Sequence, residues 1–188
     1  MKLTLVLLPL TLAACQKNAN EGPVGVVTVD SIVHARELQP LAANSRWTYQ
    51  VSVAGEGGPC AAGDHSSTLE PGKLVTEQAV FTQTSFCDDS KVQVSRAGDQ
   101  IQELVDGSWR TTLAMPLQEG VTWESAPGKR FHWHRIGWVK VLAGTFPECW
   151  ERIEEGGSNR ARVYCAGVGL VSEVAPEYVA ELKELALR

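Results

Sequence analysis

The chain has 188 residues, 17 Lys and Arg against 22 Asp and Glu, and 44% apolar side chains. That is the length and apolar content of a single domain with a core, which argues against a disordered tail. A formal net charge of −5 with no Lys/Arg cluster argues against nucleic acid as a partner, because little would neutralise phosphates.

The amino terminus carries the strongest local signal. Met1-Lys2 is a short positive segment, Leu3 to Leu12 is an apolar run, and Leu12-Ala13-Ala14 puts small residues before Cys15. The run is far shorter than the roughly 20 apolar residues a membrane-spanning helix needs, so it predicts a cleaved signal. Leu12-Ala13-Ala14-Cys15 resembles the lipobox of bacterial lipoproteins. The resemblance implies acylation of the Cys15 sulfur, cleavage before it, and durable anchoring through several acyl chains. Gln16, rather than Asp, follows the cysteine, which by Gram-negative sorting rules implies the outer membrane. Removing residues 1–14 takes away one lysine and no acid, leaving 174 residues with a formal charge of −6. Residues 15–23 then form a polar tether rich in turn formers, and 24–188 a single β-rich periplasmic domain.

Asp30 to Leu38 predicts one or two turns of helix, capped by Asp30 or Ser31. From Arg46 onward the pattern is β. Trp47–Val53, Lys91–Ser95, Ile101–Val105 and Arg160–Tyr164 are short, partly alternating and rich in β-branched or aromatic residues. Turn formers separate them at 55–59, 70–72, 97–99, 106–108 and 126–129, spacings too short for helical crossovers. The expected fold class is all-β and mainly antiparallel: one β-barrel, half-barrel or sandwich domain with at most short helices. Glu177–Arg188 has helix formers throughout, with Val179, Leu182, Leu185 and Ala186 on one face, although a final strand also fits. Pro40-Leu41 precedes Trp47 and Pro116-Leu117 precedes Trp123 at the same interval, two similar turns leading into aromatic strands.

Beyond Cys15 the cysteines number four, Cys60, Cys87, Cys149 and Cys165, and an exported chain makes disulfides the expected use. Residues 147–155 and 160–167 fold as a hairpin about Gly156-Gly157-Ser158-Asn159, which sets Cys149 opposite or nearly opposite Cys165 and leaves Cys60 for Cys87. No Cys-x-x-Cys spacing suggests thiol metal or redox chemistry.

Four segments in order carry a family resemblance: Pro40–Tyr49 (PLAANSRWTY), Met115–Trp123 (MPLQEGVTW), Ala143–Ile153 (AGTFPECWERI) and Tyr164–Val171 (YCAGVGLV). Over about residues 38–175 the chain resembles a group of bacterial secreted and lipoprotein β domains sometimes called TapB-like. Asn44 and Ser45 stand where that group has glycine, and Ala166 where it has proline. The resemblance implies an all-β envelope domain and transfers no catalytic residue. Gly167-Val168-Gly169 and Gly144-Thr145-Phe146 are expected to serve structure, as a kink and as a turn that sends Phe146 into the core.

Candidate chemistry is sparse. His132 and His134 flank Trp133, and on a strand they share one face and could offer two imidazoles to a metal, with His65, Asp64, Asp88 or Asp89 as a third ligand. Plain alternation around a buried Phe131 and Trp133 is enough to explain the pair, so no metal site is expected and His132 and His134 are only weak candidates. Asp64-His65-Ser66 are adjacent on one segment and so do not make a triad, whose members converge from separate places. No nucleophile elbow, phosphate loop or metalloprotease signature occurs. No catalytic residue and no cofactor are therefore expected. Trp47, Trp109, Trp123, Trp133, Trp138 and Trp150 are expected to fill the core. The main functional expectation is a tethered envelope module acting through membrane anchoring and protein contacts. The alternative is a carrier or sensor of a lipid or other apolar ligand in a barrel cavity, and the outlier a periplasmic metal protein or hydrolase.

Overall fold

Alternating burial dominates the strand register of the computed structural model, which describes residues 38–54, 58–72, 79–157 and 159–188. The signal segment, the lipobox, the tether and almost all of the expected helix over 30–38 lie outside these residues, as does Ser158 of the hairpin turn. Twelve strands are described: β1 (Ser45–Val53), β2 (Gly63–Pro71), β3 (Val80–Thr84), β4 (Lys91–Ala97), β5 (Gln100–Val105), β6 (Ser108–Ala114), β7 (Thr122–Ala126), β8 (Lys129–Val141), β9 (Gly144–Glu154), β10 (Ala161–Cys165), β11 (Gly169–Val174) and β12 (Tyr178–Ala186). Among the described residues there is no helix.

Every ladder is antiparallel, and the order β6-β5-β4-β3-β2-β1-β12-β11-β10-β9-β8-β7 is two six-strand meanders joined where the first strand meets the last. The two free edges, β6 and β7, come back into contact with each other, so the sheet curls into a nearly closed barrel with one seam that has no ladder. Side chains from beyond the seam satisfy the edge carbonyls of β6. Trp133 Nε1 donates to Ala114 O at 2.8 Å, and Arg152 Nη1 to Thr112 O at 3.2 Å. Edge groups occupied in this way are poor templates for another chain.

The two Pro-Leu turns lead into β1 and β7, the first strand of each meander, and Trp47 and Trp123 are buried. Asn44 has φ 64°, a conformation that asparagine tolerates better than most residues. Cys165 faces Cys149 across the β9–β10 ladder and is bonded to it, and Cys60 is bonded to Cys87. Phe146 is buried just after the β8–β9 turn.

The carboxy-terminal segment is a strand rather than the amphipathic helix its residue preferences favour. Tyr178, Ala180 and Leu182 are buried in alternation, and β12 has a ladder on both sides, to β1 and β11. Two unfilled ladders outweigh a helix preference of a few tenths of a kcal/mol per residue. Part of the outward face is polar, as where Lys183 Nζ lies 2.6 Å from Asp64 Oδ2 outside β1.

The buried apolar side chains gather in two clusters. One gathers Trp47, Tyr49, Leu69, Val171 and Leu182 around the Cys149–Cys165 bridge, and the other gathers Trp123, Phe131, Trp133, Trp150 and Tyr164 behind the seam. Trp133 is fully buried, tilted against Trp123 at 4.9 Å and edge-on to Tyr164 at 6.1 Å. Such pairs add stabilisation beyond the area they bury.

Candidate functional site

Along β8 to β12 the inner face changes character toward the end that holds the β7–β8, β9–β10 and β11–β12 turns. Trp133 gives way to Phe131 and Lys129, Trp150 to Arg152 and Glu154, Tyr164 to Arg162 and Arg160, and Val171 to Glu173. The register sets Arg162 beside Arg152 on one side and beside Glu173 on the other. Charges that belong on a surface are thus turned inward by the same alternation that buries the aromatics.

Glu173 is the pivot. Its side chain is 2% exposed, its Oε2 lies 2.9 Å from Arg162 Nε, and its Oε1 lies 3.7 Å from Arg160 Nη1. Tyr178 donates its hydroxyl to Oε1 at 2.8 Å. A carboxylate this deep persists only with such partners. Burial and then the Glu173 charge push the Tyr178 phenol up to about 12, so it stays a donor. Glu103, on the opposite wall, is held above the ordinary carboxyl range by burial, which Arg162 and Arg152 only partly oppose. Arg152 lies over the Phe131 ring at 4.8 Å, and Lys129 pairs with Glu154 at 3.5 Å.

Between the two meanders is a cavity of about 250 Å³. One wall comes from Tyr49, Ser67, Gln83, Val94, Glu103 and Thr112, the other from Arg162, Tyr164, Leu170 and Glu173. Ser67 donates to Thr84 O at 2.7 Å and receives Gln83 Nε2 at 3.3 Å, while Tyr49 donates to Leu170 O at 3.0 Å. A smaller cavity of about 90 Å³ adjoins it, framed by Lys129, Phe131, Arg152, Glu154, Arg160 and Arg162. Arg162 borders both. The pair of spaces can hold a small molecule with polar groups, since ligand sites combine an apolar wall with a few fixed donors and acceptors.

The residues singled out by sequence fall elsewhere. His132 and His134 point outward from β8, opposite the buried Phe131 and Trp133. His134 Nδ1 lies 2.9 Å from Glu119 Oε1, and the other oxygen of Glu119 accepts from Arg135 N at 2.7 Å. These contacts draw Glu119 below the usual carboxyl range and raise the His134 imidazole. His65 Nε2 is 2.9 Å from Ala61 O, Asp64 pairs with Lys183, and Asp88 accepts from Ser90. Among the described residues no three His, Cys, Asp or Glu side chains converge as a metal would require. Trp47, Trp123, Trp133 and Trp150 are buried, Trp109 is half-buried and Trp138 is 71% exposed. None of the six lines the larger cavity. The residues that sequence reasoning missed are Lys129, Arg152, Arg160, Arg162, Glu103 and Glu173. The available signal was a charge in phase with buried aromatics, as in Trp150-x-Arg152 and Arg162-x-Tyr164.

No protein-family model matches the chain. No curated protein is similar to it. Among solved structures the chain is similar to the crystal structure of the lipoprotein LppX of Mycobacterium tuberculosis, with 13% identity over 84% of this chain and 92% of that one. The TM-score is 0.25, too low for the likeness to carry an argument.

Proposed function

We propose that this protein is a lipid-tethered lipoprotein of the cell envelope, on the outer membrane, whose β-barrel carries or senses a small ligand without catalysing its conversion. The observation that supports binding is the cavity of about 250 Å³ between the two meanders, where Val94 and Leu170 face Gln83, Glu103 and Arg162. Its mixed lining shifts the expected ligand from a purely apolar one toward an amphiphile with a polar group. The volume sits just under the 300 to 1,000 Å³ typical of small-molecule sites, which suits a compact ligand.

Native mass spectrometry of the protein taken from membranes is expected to show a bound small molecule. Gln83→Trp, which places an indole in the cavity, should abolish the adduct, and an adduct-free wild-type protein would overturn the reading. Anchoring is tested separately. Cys15→Ser should leave the protein as unprocessed precursor or free it from the membrane fraction, and unchanged processing and fractionation would remove the lipid anchor.

A second reading, an accessory module acting through protein contacts, is favoured by the outer side of the β8–β9 hairpin. Trp138 is 71% exposed there, with Ile136 at 41% and Leu142 at 54%. Large apolar side chains left in water in one place commonly mark contact sites. Trp138→Ser should lose a specific envelope partner recovered by cross-linking with the wild-type protein, while ligand content stays unchanged.

A further inference from the structure

We propose that the small cavity framed by Lys129, Arg152, Arg160 and Arg162 binds a phosphate dianion, free or as the headgroup of the molecule the barrel carries. The proposal rests on the carrier reading and names the chemistry that its mouth selects.

The charge balance is the first ground. Four cations meet in a space of about 90 Å³ lined by a single carboxylate, Glu154. Glu154 pairs with Lys129, while the carboxylate behind, Glu173, pairs with Arg160 and Arg162. Glu103, drawn to Arg162 and Arg152 from the opposite wall, is a third acid, and burial raises its pKa and so favours its neutral form. Four cations against these acids leave an excess of positive charge, which suits a phosphate monoester carrying about −1.5 to −2 near neutral pH. A chain of formal charge −5 has no general excess of cations to explain the concentration.

Donor geometry is the second ground. Arg162 is fixed by the 2.9 Å ion pair of its Nε with Glu173 Oε2. Arg152 has no carboxylate partner among the described residues. The Thr112 carbonyl and the Phe131 ring hold its plane, which leaves most of the guanidinium N–H groups unused. A fixed arginine fork with spare donors suits the oxygens of phosphate, and its ordering cost is already met by folding. Arg162 also borders the larger cavity, so a phosphate held at the mouth would direct an attached chain inward past Tyr164 and Leu170.

The test is calorimetric titration of the detergent-solubilised mature lipoprotein with inorganic phosphate, with dihexanoyl phosphatidic acid and with zwitterionic dihexanoyl phosphatidylcholine. Both phosphate monoanion or dianion probes should bind, more weakly as salt rises, and the phosphatidylcholine should not. Lys129→Gln with Arg160→Gln alters two half-exposed side chains and should weaken binding at least tenfold while the circular dichroism spectrum stays unchanged. Equal affinity for both probes identifies free phosphate as the ligand, and tighter phosphatidic acid identifies a headgroup; either supports the site. Absence of binding by both, or unchanged affinity in the folded double variant, overturns it. A neutral adduct in native mass spectrometry together with no phosphate binding ends this proposal and leaves the carrier reading standing. Phosphatidic acid affinity untouched by Gln83→Trp ends the carrier reading and leaves the phosphate site standing.

Discussion

Glu103 shows how one inward charge ties stability to pH. Burial raises its carboxyl pKa, and the Coulomb attraction of Arg162 and Arg152 does not cancel that effect. A group whose pKa is higher folded than unfolded favours the fold while protonated. Its contribution is complete below the unfolded value and is lost as pH rises through the folded one. Glu103→Gln keeps the shape and removes the ionisation, so the difference in melting temperature, variant minus wild type, should grow from pH 4 to pH 8. Thermal melts across that range check this, and a difference that shrinks with rising pH would mean that the two arginines, not burial, govern the site. Trp133 is the apolar counterpart. Fully buried, packed against the Trp123 and Tyr164 rings and donating across the seam, it should cost about 3 to 5 kcal/mol when changed to Ala, measured by urea unfolding. A loss below about 1 kcal/mol would show that the seam cluster can collapse around the gap.

At the level of single elements, what could be read from sequence depended on whether local signals and long-range pairing agreed. They agree at the β9–β10 hairpin, where a glycine-rich turn fixes the register and so sets Cys149 against Cys165. They agree again at β4 and β5, whose alternation and turn at 97–99 are local properties. They disagree in β12, where Leu182, Lys183, Glu184 and Leu185 favour helix and only the two neighbouring ladders make a strand. The phosphate-site cations were illegible for a related reason: Lys129, Arg152 and Arg162 stand on three different strands and face one space only once β8, β9 and β10 are in register. Gly169, at the start of β11, shows a turn requirement that sequence did suggest. Its φ is 93°, and an added Cβ would lie 2.6 Å from Gln39 Oε1. Gly169→Ala should therefore cost about 2 kcal/mol, chiefly through backbone strain since the Gln39 amide can move. Gln39→Ala in the same chain should relieve little of that loss in urea titrations, and full rescue would assign the cost to the contact instead.

The whole barrel is closed at one place and open at another, and the two places are opposite in kind. Its first and last strands are joined by a ladder from Arg46↔Ala186 to Val53↔Tyr178, the longest-range pairing in the sequence. The neighbours β6 and β7 touch without a ladder, although only a short connection separates them in the chain. Closing the ring through its terminal strands places the weak line beside the aromatic cluster and leaves most of the cavity wall, from β1 to β5 and from β10 to β11, within continuous ladders, with Thr112 and Leu113 of β6 as its border on the seam. Amides that face only the seam lack an acceptor on a neighbouring strand, so local opening there needs no ladder to break. Hydrogen exchange followed by mass spectrometry should accordingly show the fastest exchange among strand amides in peptides spanning β6 and β7, and the slowest in those spanning β1 and β12. Ligand binding in the cavity should slow exchange in β1 to β5 and β10 to β11 more than at the seam. Equal protection of β6, β7, β1 and β12 would mean that the ring is closed by backbone pairing all the way round, and that Trp133 and Arg152 bridge nothing that the ladders do not already hold.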